Sequence, residues 1–300
     1  MQTHARRLSR RLAVIIAAAS LLAFVHPLPT AAADVAPIKG QRVFTAGHSF
    51  HVYMPAILTD IAAKAKVDGH VQVGLSSIGG SQVIRHWDLP DDKNKAKDAL
   101  KTGKVEVLTL SPIYLPDAGI ENFTKLALEH NPAIRITVQE FWLPYDSVPG
   151  WTNRPKTIER DSKTMAELRE AHAGYFKSMD EHVTTLNGQV GKKTLFVVPV
   201  GQAVLALREK VINGEAPGIT KQSQLFTDVL GHVNAPIKVL AAYCHYAVIY
   251  RRSPVGVPVP AALAMQPEAE KLNRLLQELA WDAVTQHPLS GVAKAASAKR

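Results

Sequence analysis

Five short apolar runs, separated by longer stretches of helical spacing, set what this chain can fold into. The runs cover 41–46, 71–75, 105–110, 134–138 and 194–198. The remaining periodicity predicts helices over 50–66, 91–101, 118–130, 158–186, 202–212, 236–249 and 266–284. Runs of this length, apolar and often β-branched, read as buried strands. Strands alternating with helices imply a parallel sheet covered on both faces. The expected fold is therefore α/β, a three-layer α/β/α sandwich around a five-stranded, mostly parallel sheet. In such sheets the chemistry gathers at the carboxyl ends of the strands.

The first 33 residues read as a leader. Arg6, Arg7, Arg10 and Arg11 precede an apolar stretch over 12–25, and Ala31-Ala32-Ala33 follows. That order predicts a cleavable secretory signal, cut after Ala33, and a secreted or periplasmic protein with no stable membrane insertion after cleavage. Loss of the four arginines lowers the formal net charge from +9 to +5. The remaining lysines are scattered, which argues against nucleic acid as a partner. The single cysteine, Cys244, excludes an internal disulfide and lies in an apolar stretch, so it reads as a buried small residue. The expected organisation is a leader over 1–33, one domain over 34–287 and a disordered tail over 288–300.

Three segments carry candidate chemistry. Gly47-His48-Ser49-Phe50 follows the first strand, where Ser49 is either a nucleophile beside free backbone N–H groups or a helix cap. Ile78-Gly79-Gly80-Ser81 follows the second strand, where glycines let a backbone N–H approach a ligand or simply turn the chain. Asp228 and His232 lie near the end of the chain. A histidine there can take a proton from a serine, with a carboxylate fixing its tautomer, or both can serve local backbone groups.

Jointly these segments resemble the SGNH hydrolases, the GDSL-like esterases and lipases, in element order over roughly residues 41–250. The resemblance implies a flavodoxin-like sandwich and a serine ester hydrolase without metal or other cofactor. It implies Ser49, Asp228 and His232 as the catalytic set. It also implies the N–H groups of Ser49 and Gly80 as oxyanion donors. Ester-bearing small molecules or acylated glycans are the expected substrates.

The chain departs from that pattern in three places. His48 stands where the family carries Asp or Asn. The closing pair is Asp-x-x-x-His, one residue longer than usual. Leu110-Ser111-Pro112 follows the third strand, where the family has an oxyanion asparagine. Gln82, Asn122, His86 and Trp87 are possible replacement donors, and His48, Gln82, Trp87 and Trp142 are expected to touch substrate. Two rivals follow from the same residues. His48 and His51 have a spacing that two zinc ligands can share. A catalytically inactive carbohydrate-binding relative would use Trp87, Trp142 and Trp151 to stack sugar rings.

Overall fold

The computed structural model describes residues 38–146 and 156–293. The expected leader, its cleavage site and Trp151 lie outside them. Five strands form one sheet: β1 (Arg42–Gly47), β2 (Val71–Ser77), β3 (Val107–Leu110), β4 (Arg135–Glu140) and β5 (Leu195–Pro199). Their order is β2-β1-β3-β4-β5, and every neighbouring pair is parallel. Among the described residues eight α-helices surround it: α1 (Met54–Lys64), α2 (Val83–Trp87), α3 (Lys95–Lys101), α4 (Ala118–His130), α5 (Met165–Val190), α6 (Val200–Ile212), α7 (Ala235–Tyr250) and α8 (Ala269–Gln286). This is the expected three-layer sandwich.

Period-two alternation sends the two sides of each strand into different cores. Val43, Val107, Phe196 and Val198 pack with α1, α6, α7 and α8. Phe44, Leu108, Leu110, Ile136 and Val138 pack with α3, α4 and α5. Helix α7 is buried along almost its whole circumference, Cys244 included, which is why its sequence is apolar without a polar face. Among the described residues no helix is long and apolar enough to cross a membrane.

The topology dictates where a ligand binds. After β1 the chain moves to one side to make β2, then returns to the other side of β1 to make β3. That reversal opens a crevice at the carboxyl ends of β1 and β3. Ser49 lies two residues beyond the end of β1, and Ser111 directly follows the end of β3.

Three differences from expectation have local reasons. Helix α5 begins at Met165, not 158. Thr164 accepts the Glu167 N–H, while the Glu167 carboxylate accepts the Thr164 N–H at 2.8 Å, a capping box that fixes the start. Helix α2 arises in a stretch read as loop. The Asp117 carboxylate accepts the N–H groups of Val83 (2.6 Å) and Ile84 (3.0 Å) and also that of Gly119 (2.9 Å), so one side chain caps α2 and α4 together. The domain also runs past residue 288. The Leu289 carbonyl accepts the Val197 N–H of β5 at 3.0 Å and Ser290 is fully buried, so the ordered chain continues to at least residue 293.

Glu140 ends β4 fully buried, accepting the backbone and side-chain N–H groups of Gln202 in the first turn of α6. Burial pushes its carboxyl up to about 8, against the opposing pull of those hydrogen bonds. An unfolded glutamate ionises near pH 4.3. The folded protein therefore holds the proton more tightly, and this contribution to stability is lost as pH rises from about 4.3 through about 8. Tm measured from pH 4 to pH 9 should fall more steeply in the native protein than in Glu140→Gln, which has no proton to lose. Parallel curves would show that Glu140 ionises freely.

Candidate active site

Beyond β1 the chain folds into a single turn before α1. The His48 carbonyl accepts the N–H groups of His51 (2.8 Å) and Val52 (3.0 Å). Glycine is required at 47, because a Cβ there would lie 2.8 Å from the His51 ring. His51 is fixed in turn: its Nδ1 meets Gln139 Oε1 at 2.9 Å and its Nε2 meets Thr109 Oγ1 at 3.1 Å. Gln139 Nε2 donates to the Phe50 carbonyl at 3.0 Å, closing the turn from beneath. Ser49 stands exposed at its crest. Among the described residues neither its hydroxyl nor its backbone N–H has a hydrogen-bond partner.

The loop after β2 is tied to the same place, since the Ile78 N–H donates to the Gly47 carbonyl at 3.2 Å. His86 of α2 bridges this loop, with Nδ1 2.7 Å from Ser76 Oγ and Nε2 2.9 Å from Ser81 Oγ. Between those serines Gly80 is exposed, has φ +58°, and presents an N–H with no partner among the described residues. The positive φ suits glycine and turns the amide outward.

The third segment is a closed turn. Thr227 N–H donates to the His232 carbonyl at 2.8 Å, and Phe226 pairs with Val233. Asp228 Oδ1 accepts the N–H groups of Leu230 (2.9 Å) and His232 (3.1 Å), while Oδ2 lies 2.7 Å from His232 Nδ1. Burial opposes ionisation of Asp228, but the hydrogen bonds from His232 and Leu230 outweigh it and hold its pKa below the usual range. The extra residue in Asp-x-x-x-His is accommodated by Gly231, with φ +83° and Pro144 so close that a Cβ would sit 2.6 Å from it.

Two contacts place this turn beside the serine. The His232 ring is edge-on to Phe50, with centroids 5.4 Å apart. Phe50 stacks on Trp142 at 4.9 Å, and the Trp142 indole N–H donates to the Gly231 carbonyl at 2.9 Å. Asp228, His232 and Ser49 thus meet at one end of the sheet. The expected Ser49–His232 hydrogen bond is not made. Such contacts are commonly loose until substrate binds and tighten only then.

A buried ion cluster supports the turn from behind. Arg208 grips Asp146 with two hydrogen bonds, of 2.5 and 3.0 Å, and Arg160 approaches the same carboxylate at 3.2 Å. Arg160 also lies 3.8 Å over the Phe226 ring and donates to the Pro144 carbonyl. None of these residues was legible as functional, because the interacting groups are up to about sixty positions apart and their context is ordinary.

The remaining expected residues fall into place as follows. His48 is buried, not open to substrate. Its Nδ1 accepts the Phe50 N–H at 3.4 Å, so its Nε2 carries the proton and donates to Ser111 Oγ at 3.3 Å. Burial, followed by the nearby imidazoles of His51, His86 and His232, lowers its pKa to about 3. Trp142 is 1% exposed and holds the histidine turn, so it is not a sugar platform. Trp87 is half-buried, packed edge-on against Phe123 at 5.2 Å with Lys97 Nζ 4.4 Å from its ring centroid. His86 has both ring nitrogens engaged, which removes it as a replacement donor, and Asn122 lies within α4. Gln82 is half-buried with a side-chain amide that has no partner among the described residues. The shared zinc does not fit: both His51 nitrogens are taken, and among the described residues no group of three or more His, Cys, Asp or Glu could hold a metal ion.

No family model matches this chain, and no curated protein matches it. Among solved structures it is similar to a DUF4886 family protein from Bacteroides uniformis, at 16% identity and TM-score 0.53, covering 86% of this chain and 98% of that one. It is also similar to a candidate SGNH hydrolase from Slackia heliotrinireducens, at 15% identity and TM-score 0.44, covering 69% of this chain and 97% of that one. The first likeness shows a shared α/β/α fold.

Asp146 neutralises two buried guanidinium groups, so its removal strands both. Asp146→Ala should destabilise the protein by about 3–5 kcal/mol. Urea unfolding measures this directly, and an unchanged midpoint would mean that the cluster contributes nothing.

Proposed function

We propose that the chain is a serine hydrolase. More particularly, we read it as an esterase that works through an acyl-serine intermediate. The observation that carries this reading is the Asp228–His232 pair, joined at 2.7 Å and set edge-on against the residue that follows Ser49.

With Nδ1 facing Asp228, His232 has Nε2 free to act as a base. It takes the Ser49 proton as Oγ attacks the ester carbonyl carbon. The negative charge that develops on the carbonyl oxygen falls to the unpartnered N–H groups of Ser49 and Gly80. When the tetrahedral intermediate collapses, the C–O bond to the alcohol breaks and His232 returns its proton to the departing oxygen. Water, deprotonated by the same imidazole, then releases the acid and restores Ser49. Asp228 stays ionised and stabilises the imidazolium.

Ser111 completes the oxyanion site. Because His48 Nε2–H donates to Ser111 Oγ, the Ser111 hydroxyl proton is left to point elsewhere, at the strand end where the SGNH pattern carries its asparagine. We read the substrate as an acylated carbohydrate or small ester. We place the protein outside the cytoplasm, on the support of the arginine-rich apolar start of the sequence.

A fluorophosphonate probe should label the native protein at Ser49, and Ser49→Ala should abolish both labelling and the hydrolysis of p-nitrophenyl acetate. Absence of labelling in the folded native protein would overturn the hydrolase reading. Ser111→Ala should lower kcat about 100-fold or more with little change in KM, as expected of a donor that acts mainly in the transition state. A loss confined to KM or to Tm would leave Ser111 a scaffold residue.

A further inference from the structure

A cavity of ≈ 340 Å³ opens at the carboxyl ends of β3 and β4, lined chiefly by Ile113, Leu115, Phe141, Leu143, Gly174 and Tyr175. No charged side chain lines it. Two of its three polar side chains are engaged: the Tyr175 hydroxyl donates to the Pro112 carbonyl at 3.2 Å, and Ser178 Oγ donates to the Gly174 carbonyl at 2.9 Å, while the third, Tyr114, is exposed. A sugar placed here would exchange water for a wall that offers its hydroxyls almost nothing, whereas an aliphatic chain would lose only unfavourable hydration.

The cavity is joined to the serine site through one side chain. The Phe141 ring is edge-on to His48 (5.6 Å) and Phe50 (5.8 Å), and it also meets the Tyr175 ring at 4.9 Å. The opposite wall begins two residues after Ser111, at Ile113, which belongs to the same core cluster as Phe50 and Phe141. The recess is therefore in packing continuity with the serine turn through the Phe141 ring, on the β3–β4 side.

From this continuity we infer that the cavity receives the acyl chain of the ester, and that the preferred acyl group is a medium-length aliphatic chain. The inference rests on the serine-hydrolase reading and narrows it, assigning the acyl half of the substrate while leaving the alcohol half to the exposed side near Gln82.

Gly174 gives a clean test. It lies on α5, lines the cavity, and a Cβ added there meets nothing within 4 Å. Leucine in its place fills the recess and also favours the helix. The measurement is kcat/KM for p-nitrophenyl acetate, butyrate and hexanoate with the native protein, Gly174→Leu and Ser178→Leu. Burial of a methylene favours binding about fourfold. The native protein should therefore prefer hexanoate over acetate by at least about tenfold, and that ratio should fall by a similar factor in Gly174→Leu, with Ser178→Leu as the second variant should the first fail to fold. Hydrolysis of acetate with a flat or falling chain-length profile, or a profile that neither variant alters, would overturn the acyl-pocket inference while leaving the hydrolase reading in place. No hydrolysis of any of the three esters, together with no fluorophosphonate label at Ser49, would overturn both.

Discussion

The His51 imidazole is the wedge on which the candidate site rests. It lies under the turn that carries Ser49, presses on Gly47 so closely that no other residue fits there, and spans β3 and β4 through Thr109 and Gln139. Gln139 spends its oxygen on His51 and His245 and its N–H on the Phe50 carbonyl. That choice of partners sets the proton on His51 Nδ1, while Nε2 faces the Thr109 hydroxyl, which itself donates to Thr45 Oγ1 at 3.0 Å. Burial lowers the His51 pKa to about 4, so the ring stays neutral and keeps this one arrangement. The sharp turn at the serine is thus held by a polar network inside the core, where a missing partner costs about 1–3 kcal/mol.

The histidine turn is held differently, by charge. Asp146, Arg208 and Arg160 come from the segment after β4, from α6 and from the stretch before α5. Together they clamp Phe226 and Pro144, the two residues against which the Asp228–His232 turn is built. A buried ion group is not a strong source of stability compared with a well-packed apolar one. Its use here is geometric: the planar guanidinium of Arg208 meets both Asp146 oxygens, which fixes direction as well as distance. Trp142 adds a hydrogen bond to Gly231 and a stacked face to Phe50, so the two segments of the candidate site share one rigid wall.

What could be read from the sequence follows from where side chains go. Four of the strands are buried and show as apolar or β-branched runs, and the half-buried edge strand β2 shows as the alternation over 71–75, so all five were legible. Helix α4 was legible to the residue because Pro132 ends it and its apolar spacing is regular. Helix α2 was not, since five residues carry no periodicity and its start depends on Asp117, more than thirty positions away. The early start assigned to α5 came from charged residues that look helical but precede the Thr164 cap. In the site, residues at strand ends could be picked out because the fold tells where to look. Their supports could not, because Arg208 on α6 and Gln139 in β4 have nothing in their neighbours to mark them. Trp142 misled for a related reason. A tryptophan in a proline-rich loop looks exposed, yet the loop folds inward and its indole is the most bulky fully buried side chain.

Two of the three departures from the SGNH pattern turn out to be a single physical change. His48 and Ser111 stand on different strands' ends and touch each other, Nε2 to Oγ, at 3.3 Å. An aspartate at 48 would be a buried anion beside other buried groups and would need donors to hold it. The imidazole is neutral there, takes one backbone N–H on one nitrogen and supplies one N–H from the other, leaving neither unsatisfied. Its donated proton takes one lone pair of the Ser111 hydroxyl, whose own proton is left for another acceptor. An asparagine amide at 111 would bring two N–H donors that need no such help, but also a carbonyl that His48 would have to satisfy in place of the smaller hydroxyl. A histidine on β1's end and a serine on β3's end are therefore consistent with each other in a way that neither is with the usual partner. The third departure, the longer Asp-x-x-x-His spacing, is independent of them, being absorbed entirely by the left-handed Gly231 against Pro144.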